Sequence, residues 1–187
     1  MALAKYLKRS RLFYGFINVA FNQYDHLRVK QAGPDQAAAE WIMKNEGWVR
    51  TPGKGRWIKD YNSLTGRIGP KLRLGGIQAI GLDITSGGCS HFKGLKHVEY
   101  VDLSGCVNIG DAGMRFICDN CNESLRYLDV SGTSVGLTGL EMLRSCEMLQ
   151  TLKYDESIST KYGQKHDSVL RELMERNKGI HIEQVKC

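Results

Sequence analysis

Val98-Glu99-Tyr100-Val101-Asp102-Leu103-Ser104-Gly105-Cys106 is the stretch of sequence that decides the fold of this chain. Its aliphatic residues follow a Leu-x-x-Leu-x-Leu pattern, and the same pattern occurs three more times. The four segments are Ile77-x-x-Ile80-x-Leu82, Val98-x-x-Val101-x-Leu103, Leu125-x-x-Leu128-x-Val130 and Leu149-x-x-Leu152-x-Tyr154. A motif that recurs at intervals of about 20–30 residues indicates structural units that stack on one another.

The four segments begin 21, 27 and 24 residues apart, which is the period of a leucine-rich repeat. In each unit a short strand is followed by a polar turn and a helical stretch. The residues expected on the inward faces of these helices are Met114, Ile117, Leu140 and Leu143. We therefore predict an α/β fold, a short leucine-rich-repeat solenoid of about four repeats. Such a solenoid is usually a surface that holds partners, because its apolar residues are used for stacking.

Residues 10–60 are predicted to cap the first repeat, because short solenoids depend on end caps. Apolar spacing predicts an amphipathic helix over residues 10–31 and a second helix from Gly33-Pro34-Asp35 to Gly47. A hairpin between residues 48–50 and 56–58 follows. A helix over 165–177 and an edge strand over 180–185 close the other end. The predicted organisation is a basic arm over 1–12, a helical cap over 13–70 and repeats with a C-terminal cap over 71–187.

The positive charge of the chain is concentrated near its beginning. Of the formal charge of +6, residues 1–30 carry +5, from six basic residues and one acid. The repeat body is nearly neutral, so we expect no nucleic-acid partner. The first twelve residues hold four bases and no acid, which suits a mitochondrial targeting segment or a solvated basic arm. No apolar run approaches the roughly 18 residues needed to span a bilayer.

The sequence assembles no recognisable reaction centre, so we expect a protein that is not an enzyme. Cys118-x-x-Cys121 has the spacing of half a zinc site, but no second pair accompanies it. Gly53-Lys54-Gly55 and Gly75-Gly76 match no phosphate-binding pattern and are predicted to form turns. Without a signal peptide, the six cysteines are expected to be reduced.

Two acids align between repeats at positions next to the inward residues. Asp102 precedes Leu103 and Asp129 precedes Val130, so both are predicted to point outward from their strands. The sequence therefore suggests that these carboxylates shape a face that binds a partner.

The cap carries a more specific resemblance than the repeats do. Its stretches are Leu12-Phe13-Tyr14-Gly15-Phe16-Ile17-Asn18-Val19-Ala20-Phe21-Asn22, Gly33-Pro34-Asp35-Gln36-Ala37-Ala38-Ala39-Glu40-Trp41 and Arg56-Trp57-Ile58-Lys59-Asp60-Tyr61-Asn62. They closely resemble the family of mitochondrial ATP synthase subunit s, also called coupling factor B. Gly94-Leu95-Lys96-His97-Val98-Glu99 resembles the first full repeat of that family. The resemblance covers roughly residues 10–155, and the tract from Lys161 onward departs from the family pattern.

The resemblance implies a non-catalytic matrix protein, peripheral to the mitochondrial inner membrane. Such a protein contacts membrane-sector subunits of ATP synthase and supports the coupling of proton flow to ATP formation. The resemblance also implies a magnesium ion at Gly33 and Thr65, although no cofactor is required. Activity in the family has been linked with vicinal thiols, but the neighbours of Cys106 are Gly105 and Val107. We expect a monomer.

Two alternatives remain open from the sequence. A sister family, the distal membrane arm assembly component of respiratory complex I, shares the architecture and part of the cap, which implies complex I membrane-arm subunits as partners. Repeats of the Leu-x-x-Leu-x-Leu-x-Gly-Cys kind are also common in F-box adaptors of protein ubiquitination. Against the adaptor, residues 1–60 contain no F-box-like Leu-Pro start.

Overall fold

A computed structural model describes residues 18–53, 55–65 and 72–186 of the chain. These residues contain one six-stranded sheet in which the strands follow one another in chain order. The strands are β1 (Trp48–Arg50), β2 (Gly76–Gln78), β3 (Tyr100–Asp102), β4 (Tyr127–Asp129), β5 (Thr151–Asp155) and β6 (His181–Val185). β1 pairs antiparallel with β2, and all later pairs are parallel. This arrangement confirms the predicted α/β leucine-rich-repeat solenoid.

Helices lie between successive strands and at the start of the described chain. They are α1 (His26–Ala32), α2 (Pro34–Lys44), α3 (Asn62–Thr65), α4 (Asp111–Cys121), α5 (Leu137–Met142), α6 (Glu156–Tyr162) and α7 (Gln164–Arg176). Residues 18–22 are also helical, and 3-10 turns span Gly88–Phe92 and Leu143–Ser145. Across the described ranges, none of the helices is both long enough and apolar enough to cross a membrane.

One inward side chain from each parallel strand forms a continuous ladder through the core. Ile77 lies beside Val101, Val101 beside Leu128, and Leu128 beside Leu152. All four are fully buried. Burial of such a side chain contributes about 1.5–3 kcal/mol. The helix residues predicted to face inward, Met114, Ile117, Leu140 and Leu143, are also fully buried.

The predicted register of the first repeat is wrong by three residues. Ile77 lies beside Val101 rather than at the position of Val98, so this repeat reads Leu74-x-x-Ile77-x-Ala79. Leu74, Ile77 and Ala79 are buried, whereas Ile80 is 54% exposed. The spacing from 74 to 77 equals that from 77 to 80, and spacing alone could not distinguish them.

The turn glycines identify the correct register. Gly81, Gly105 and Gly132 occupy the same place after their strands, with φ angles of 65°, 74° and 64°. That left-handed conformation is strained for other residues, so the first three repeats have a glycine there. With this alignment the repeats begin at Leu74, Val98, Leu125 and Leu149.

The helix predicted over residues 10–31 is interrupted. Its first part lies outside the described residues, residues 18–22 are helical, and a new helix begins at His26. Asp25 starts this helix, because its carboxylate accepts a 2.8 Å hydrogen bond from the backbone N–H of Arg28. The second helix ends at Lys44, before the predicted stop at Gly47.

Gly75-Gly76 does not form the predicted turn, because Gly76 begins strand β2 and Gly75 precedes it. A Cβ on Gly75 would lie 2.2 Å from the Cα of Pro52, and one on Gly76 would lie 2.6 Å from Nε of Arg50. These glycines therefore make room for the hairpin of residues 48–58. The hairpin itself is as predicted, with Val49 bridged to Ile58.

Asp111 links one repeat to the next. Its Oδ1 accepts hydrogen bonds from the backbone N–H of Gly136 at 2.7 Å and of Gly139 at 3.0 Å. These N–H groups belong to the start of helix α5, whose first amides have no partner within the helix. The carboxylate of one repeat thus caps the helix of its neighbour.

Replacing Asp111 by alanine should lower the free energy of unfolding by roughly 1–3 kcal/mol, because two amides lose a charged acceptor. Urea denaturation of the purified protein measures this loss. Asp119→Ala is the matched control, because this exposed carboxylate lies at the other end of the same helix. A change within about 0.5 kcal/mol is expected for the control. Equal effects of the two variants would contradict a capping role for Asp111.

Candidate docking surface

The side chains that alternate with the core ladder form two rows on the face of the sheet opposite the core, here called the open face. The first row is Arg50, Gly76, Tyr100, Tyr127, Thr151 and His181. The second row is Trp48, Gln78, Asp102, Asp129, Lys153 and Glu183. Solenoid proteins commonly use such an extended face to bind partners.

Aromatic rings cover the first half of the open face. Tyr100 and Tyr127 occupy adjacent strands, and their rings stack with centroids 4.2 Å apart and planes 6° from parallel. Trp57, from the hairpin, meets Tyr100 edge-on at 5.4 Å. All three side chains are half-buried, so each presents apolar surface to solvent. Aromatic residues in such positions often dominate the energy of protein interfaces.

Arg50 lies against these rings. Its guanidinium carbon is 5.2 Å from the ring centroid of Trp57 and 5.3 Å from that of Tyr100. Its Nη1 donates a hydrogen bond to the carbonyl of Gly53. The side chain crosses over Gly76, where any larger residue would occupy the same space. Contacts with two ring faces hold the guanidinium in a defined position.

Asp102 and Asp129 lie on the open face, but they are not the accessible contacts that the sequence suggested. They are only 5% and 8% exposed, because neighbouring side chains cover them. Oδ1 of Asp102 accepts hydrogen bonds from the backbone and hydroxyl of Ser104, at 3.1 and 2.8 Å. Asp129 makes the same pair of bonds with Ser131. Their carboxylates therefore hold the repeat turns in shape.

The two tyrosines carry neutral hydroxyl groups on this face. Burial and the neighbouring carboxylate of Asp102 raise the pKa of Tyr100. Burial, followed by Tyr100 and Asp129, raises the pKa of Tyr127. Each hydroxyl oxygen lies 3.5 Å from an Oδ2 atom of the aspartate two residues later. Both groups can thus donate or accept hydrogen bonds at neutral pH.

A small apolar groove extends the open face beyond the rings. It has a volume of about 120 Å³, and its lining residues are Glu46, Gly47, Trp48, Gln78, Ile80 and Leu82. Trp48 is 36% exposed, and the ammonium of Lys59 lies 3.7 Å from its ring centroid. Sequence reasoning missed the ring cluster and the groove on the open face. The available signal was the tyrosine at the same outward position in two repeats, Tyr100 and Tyr127.

The magnesium site implied for Gly33 and Thr65 stays a prediction. Gly33 precedes helix α2 with φ of 87°, and its carbonyl already accepts a hydrogen bond from the N–H of Ala37. The nearest acid along the chain, Asp35, accepts a 2.7 Å hydrogen bond from the N–H of Leu74. A cation as hard as magnesium usually requires carboxylate ligands. The described part of the chain contains no group of three or more metal-binding side chains, so these residues do not by themselves make a fitting set.

Five cysteines are buried as free thiols, namely Cys89, Cys106, Cys118, Cys121 and Cys146. Burial raises the pKa of Cys89 to about 12 and that of Cys106 to about 11. The thiol of Cys106 donates a 2.7 Å hydrogen bond to the carbonyl of Ala79 in the preceding repeat. A hydrogen bond to Cys146 and burial raise the pKa of Cys118. The hydrogen bond with Cys118 lowers the pKa of Cys146. The other four thiols have raised pKa values, so they fill the core and hold their protons.

The folded protein should therefore resist alkylation at Cys89 and Cys106. At pH 8 a thiol of pKa about 11 is ionised to roughly one part in a thousand, and burial blocks access. Iodoacetamide labelling followed by mass spectrometry should be at least about 100-fold slower for both residues in buffer than in denaturant. Rapid labelling of the folded protein at Cys106 would contradict its assignment as a core residue.

Comparison with known proteins agrees with this architecture. Residues 94–118 and 121–143 match the leucine-rich repeat family. The protein named ATP synthase subunit s, mitochondrial, from Bos taurus is 38% identical, over 75% of this chain and 73% of its own length. Its counterparts are 36% identical in Homo sapiens and 41% identical in Pongo abelii, each over 78% of this chain and 72% of the relative. These similarities confirm the resemblance read from the cap, and the chain belongs to the family of mitochondrial ATP synthase subunit s.

Proposed function

We propose that this chain is a non-catalytic accessory subunit of mitochondrial ATP synthase. It docks on the membrane sector from the matrix side of the inner membrane and supports the coupling of proton flow to ATP synthesis. The relatives named above support the assignment to this complex. The observation that carries docking as its mode of action is the ring cluster of Trp57, Tyr100 and Tyr127 on the open face.

The polar groups of the open face favour binding over catalysis. Asp102 and Asp129 are occupied by their own turns. Lys153 and Glu183 form an ion pair at 2.6 Å, so each charge already has a partner. Half-buried rings beside polar groups that already have partners suit a protein interface, where aromatic anchors are surrounded by satisfied polar contacts.

The proposed location follows from the relatives and from the composition of the start of the chain. Residues 1–12 contain four bases and no acid, as a mitochondrial targeting segment would. A monomer attached peripherally to the inner membrane would present its open face to the complex.

Affinity purification from gently solubilised mitochondria tests this function. Tagged protein should recover membrane-sector subunits of ATP synthase. A Tyr100→Ala/Tyr127→Ala variant should recover at least about tenfold less, because it lacks both central rings. Met148→Ala is the control, since Met148 is 42% exposed but lies outside the open face. Recovery of complex I membrane-arm subunits in place of ATP synthase would contradict the proposal and favour the sister function.

A further inference from the structure

We infer that the hairpin end of the open face binds an acidic segment of a partner protein, with Arg50 pairing to a carboxylate of that segment. The inference deepens the proposed function, because it rests on the open face being the docking surface. It adds the chemistry of the partner and the residue that recognises it.

Arg50 is a half-buried cation that lacks an acidic partner. All 20 acidic side chains fall within the described residues, and none of them lies within ion-pair distance of Arg50. Within the described ranges, the arginines and lysines that form ion pairs with Asp or Glu are Arg28, Arg144, Lys153, Arg176 and Lys186. Because Nη1 already donates to the carbonyl of Gly53, the N–H groups of Arg50 that an incoming carboxylate would bind are those on Nε and Nη2.

The surrounding residues hold Arg50 ready for that pairing. Gly76 leaves the space through which the side chain passes, because a Cβ there would lie 2.6 Å from Nε and 2.7 Å from Cγ of Arg50. Glycine inside a strand is less stable than alanine there, so the space for Arg50 is kept at the expense of strand stability. Trp57 and Tyr100 then fix the guanidinium. A side chain that is already ordered loses less entropy on binding.

Charge is distributed unevenly along the open face. Arg56 and Lys59 are exposed on the same hairpin and, like Arg50, have no ion pair within the described ranges. Farther along the sheet lie the buried carboxylates of Asp102 and Asp129. A carboxylate also contacts the hairpin, because Glu99 accepts a 3.4 Å hydrogen bond from the N–H of Gly53. Arg50, Arg56 and Lys59 outnumber it, so the hairpin end attracts negative charge more than the middle of the face does. This asymmetry gives the bound segment a direction, with its acid at the hairpin end.

The rings show why the occupant is a protein segment. A guanidinium binds a carboxylate through two parallel hydrogen bonds, and a phosphate could satisfy it equally well. The stacked rings of Tyr100 and Tyr127 continue beyond Arg50 and need an apolar cover. A polypeptide supplies both a carboxylate and an apolar cover, with an acidic side chain over Arg50 and apolar side chains over the tyrosines. A lipid headgroup or free phosphate would leave the tyrosine rings uncovered.

Equilibrium binding of the purified chain to purified ATP synthase tests the role of Arg50. Arg50→Gln should weaken binding at least roughly tenfold, and Arg50→Lys nearly as much, because lysine cannot form two parallel bonds. Arg56→Gln, which removes an exposed charge from the same hairpin, should change affinity less than about threefold. Equal losses for Arg50→Gln and Arg56→Gln would show a diffuse charge effect and overturn the inference. Thermal unfolding confirms that each variant is folded.

A photo-crosslinking residue at Thr151, beside Tyr127 in the first row, identifies the bound segment in intact mitochondria. The crosslinked peptide should contain an aspartate or glutamate. A substitution that neutralises this acid should weaken binding as Arg50→Gln does. The loss of binding free energy when both changes are combined should be smaller than the sum of the two separate losses. A lipid adduct, or a peptide without an acid, would overturn the inference. An acidic segment from outside ATP synthase would support the inference while contradicting the proposed function.

Vesicles of phosphatidylcholine with cardiolipin provide the comparison with a membrane surface. Binding of the chain to these vesicles should depend equally on Arg50 and Arg56, because a fluid anionic surface contacts exposed charges without a fixed geometry. If Arg50→Gln abolished vesicle binding but left binding to the purified complex unchanged, the inference would be wrong. In that case the anion recognised by Arg50 would be a lipid headgroup.

Discussion

The alignment of one repeat on the next is the constraint on which the rest of the structure depends. Each inward residue of the ladder Ile77, Val101, Leu128 and Leu152 is buried only because its neighbours lie in register. A shift by one residue would expose the ladder, since alternate side chains of a strand point to opposite faces. The same register determines which side chains become neighbours on the open face. Tyr100 stacks on Tyr127 because Val101 lies beside Leu128.

The cap is tied to this ladder by polar contacts that the core alone could not supply. Asp35 accepts a hydrogen bond from the N–H of Leu74, at the start of the first repeat. In the same helix, Glu40 is buried but receives hydrogen bonds from Arg28 and Gln36. Burial opposes ionisation of Glu40, yet these hydrogen bonds outweigh it and hold its pKa below the ordinary value. A paired carboxylate can therefore remain charged inside the cap.

The cap also completes the proposed docking surface. Its strand β1 extends the sheet beyond the first repeat and places Arg50 and Trp48 at one end of the open face. The hairpin return brings Trp57 against Tyr100, a residue of the second repeat. A repeat array without this cap would present two stacked tyrosines without Arg50, and its own open-face cation, Lys153, is already paired with Glu183. The distinctive chemistry of the surface thus arises where cap and repeats meet.

The sequence by itself determined the repeats, the hairpin, the inward helix residues and the family. These depend on periodicity and on local backbone preferences, which can be read along the chain. Only the tertiary structure decided the register of the first repeat, the packing roles of Gly75 and Gly76, and the contact of Arg50 with two rings. At the other end, the hydroxyl of Tyr154 contacts His166 at 2.7 Å and Gln184 at 2.6 Å, residues that no local pattern connects to it. Such features join side chains distant in sequence, and their partners are fixed only when the repeats stack.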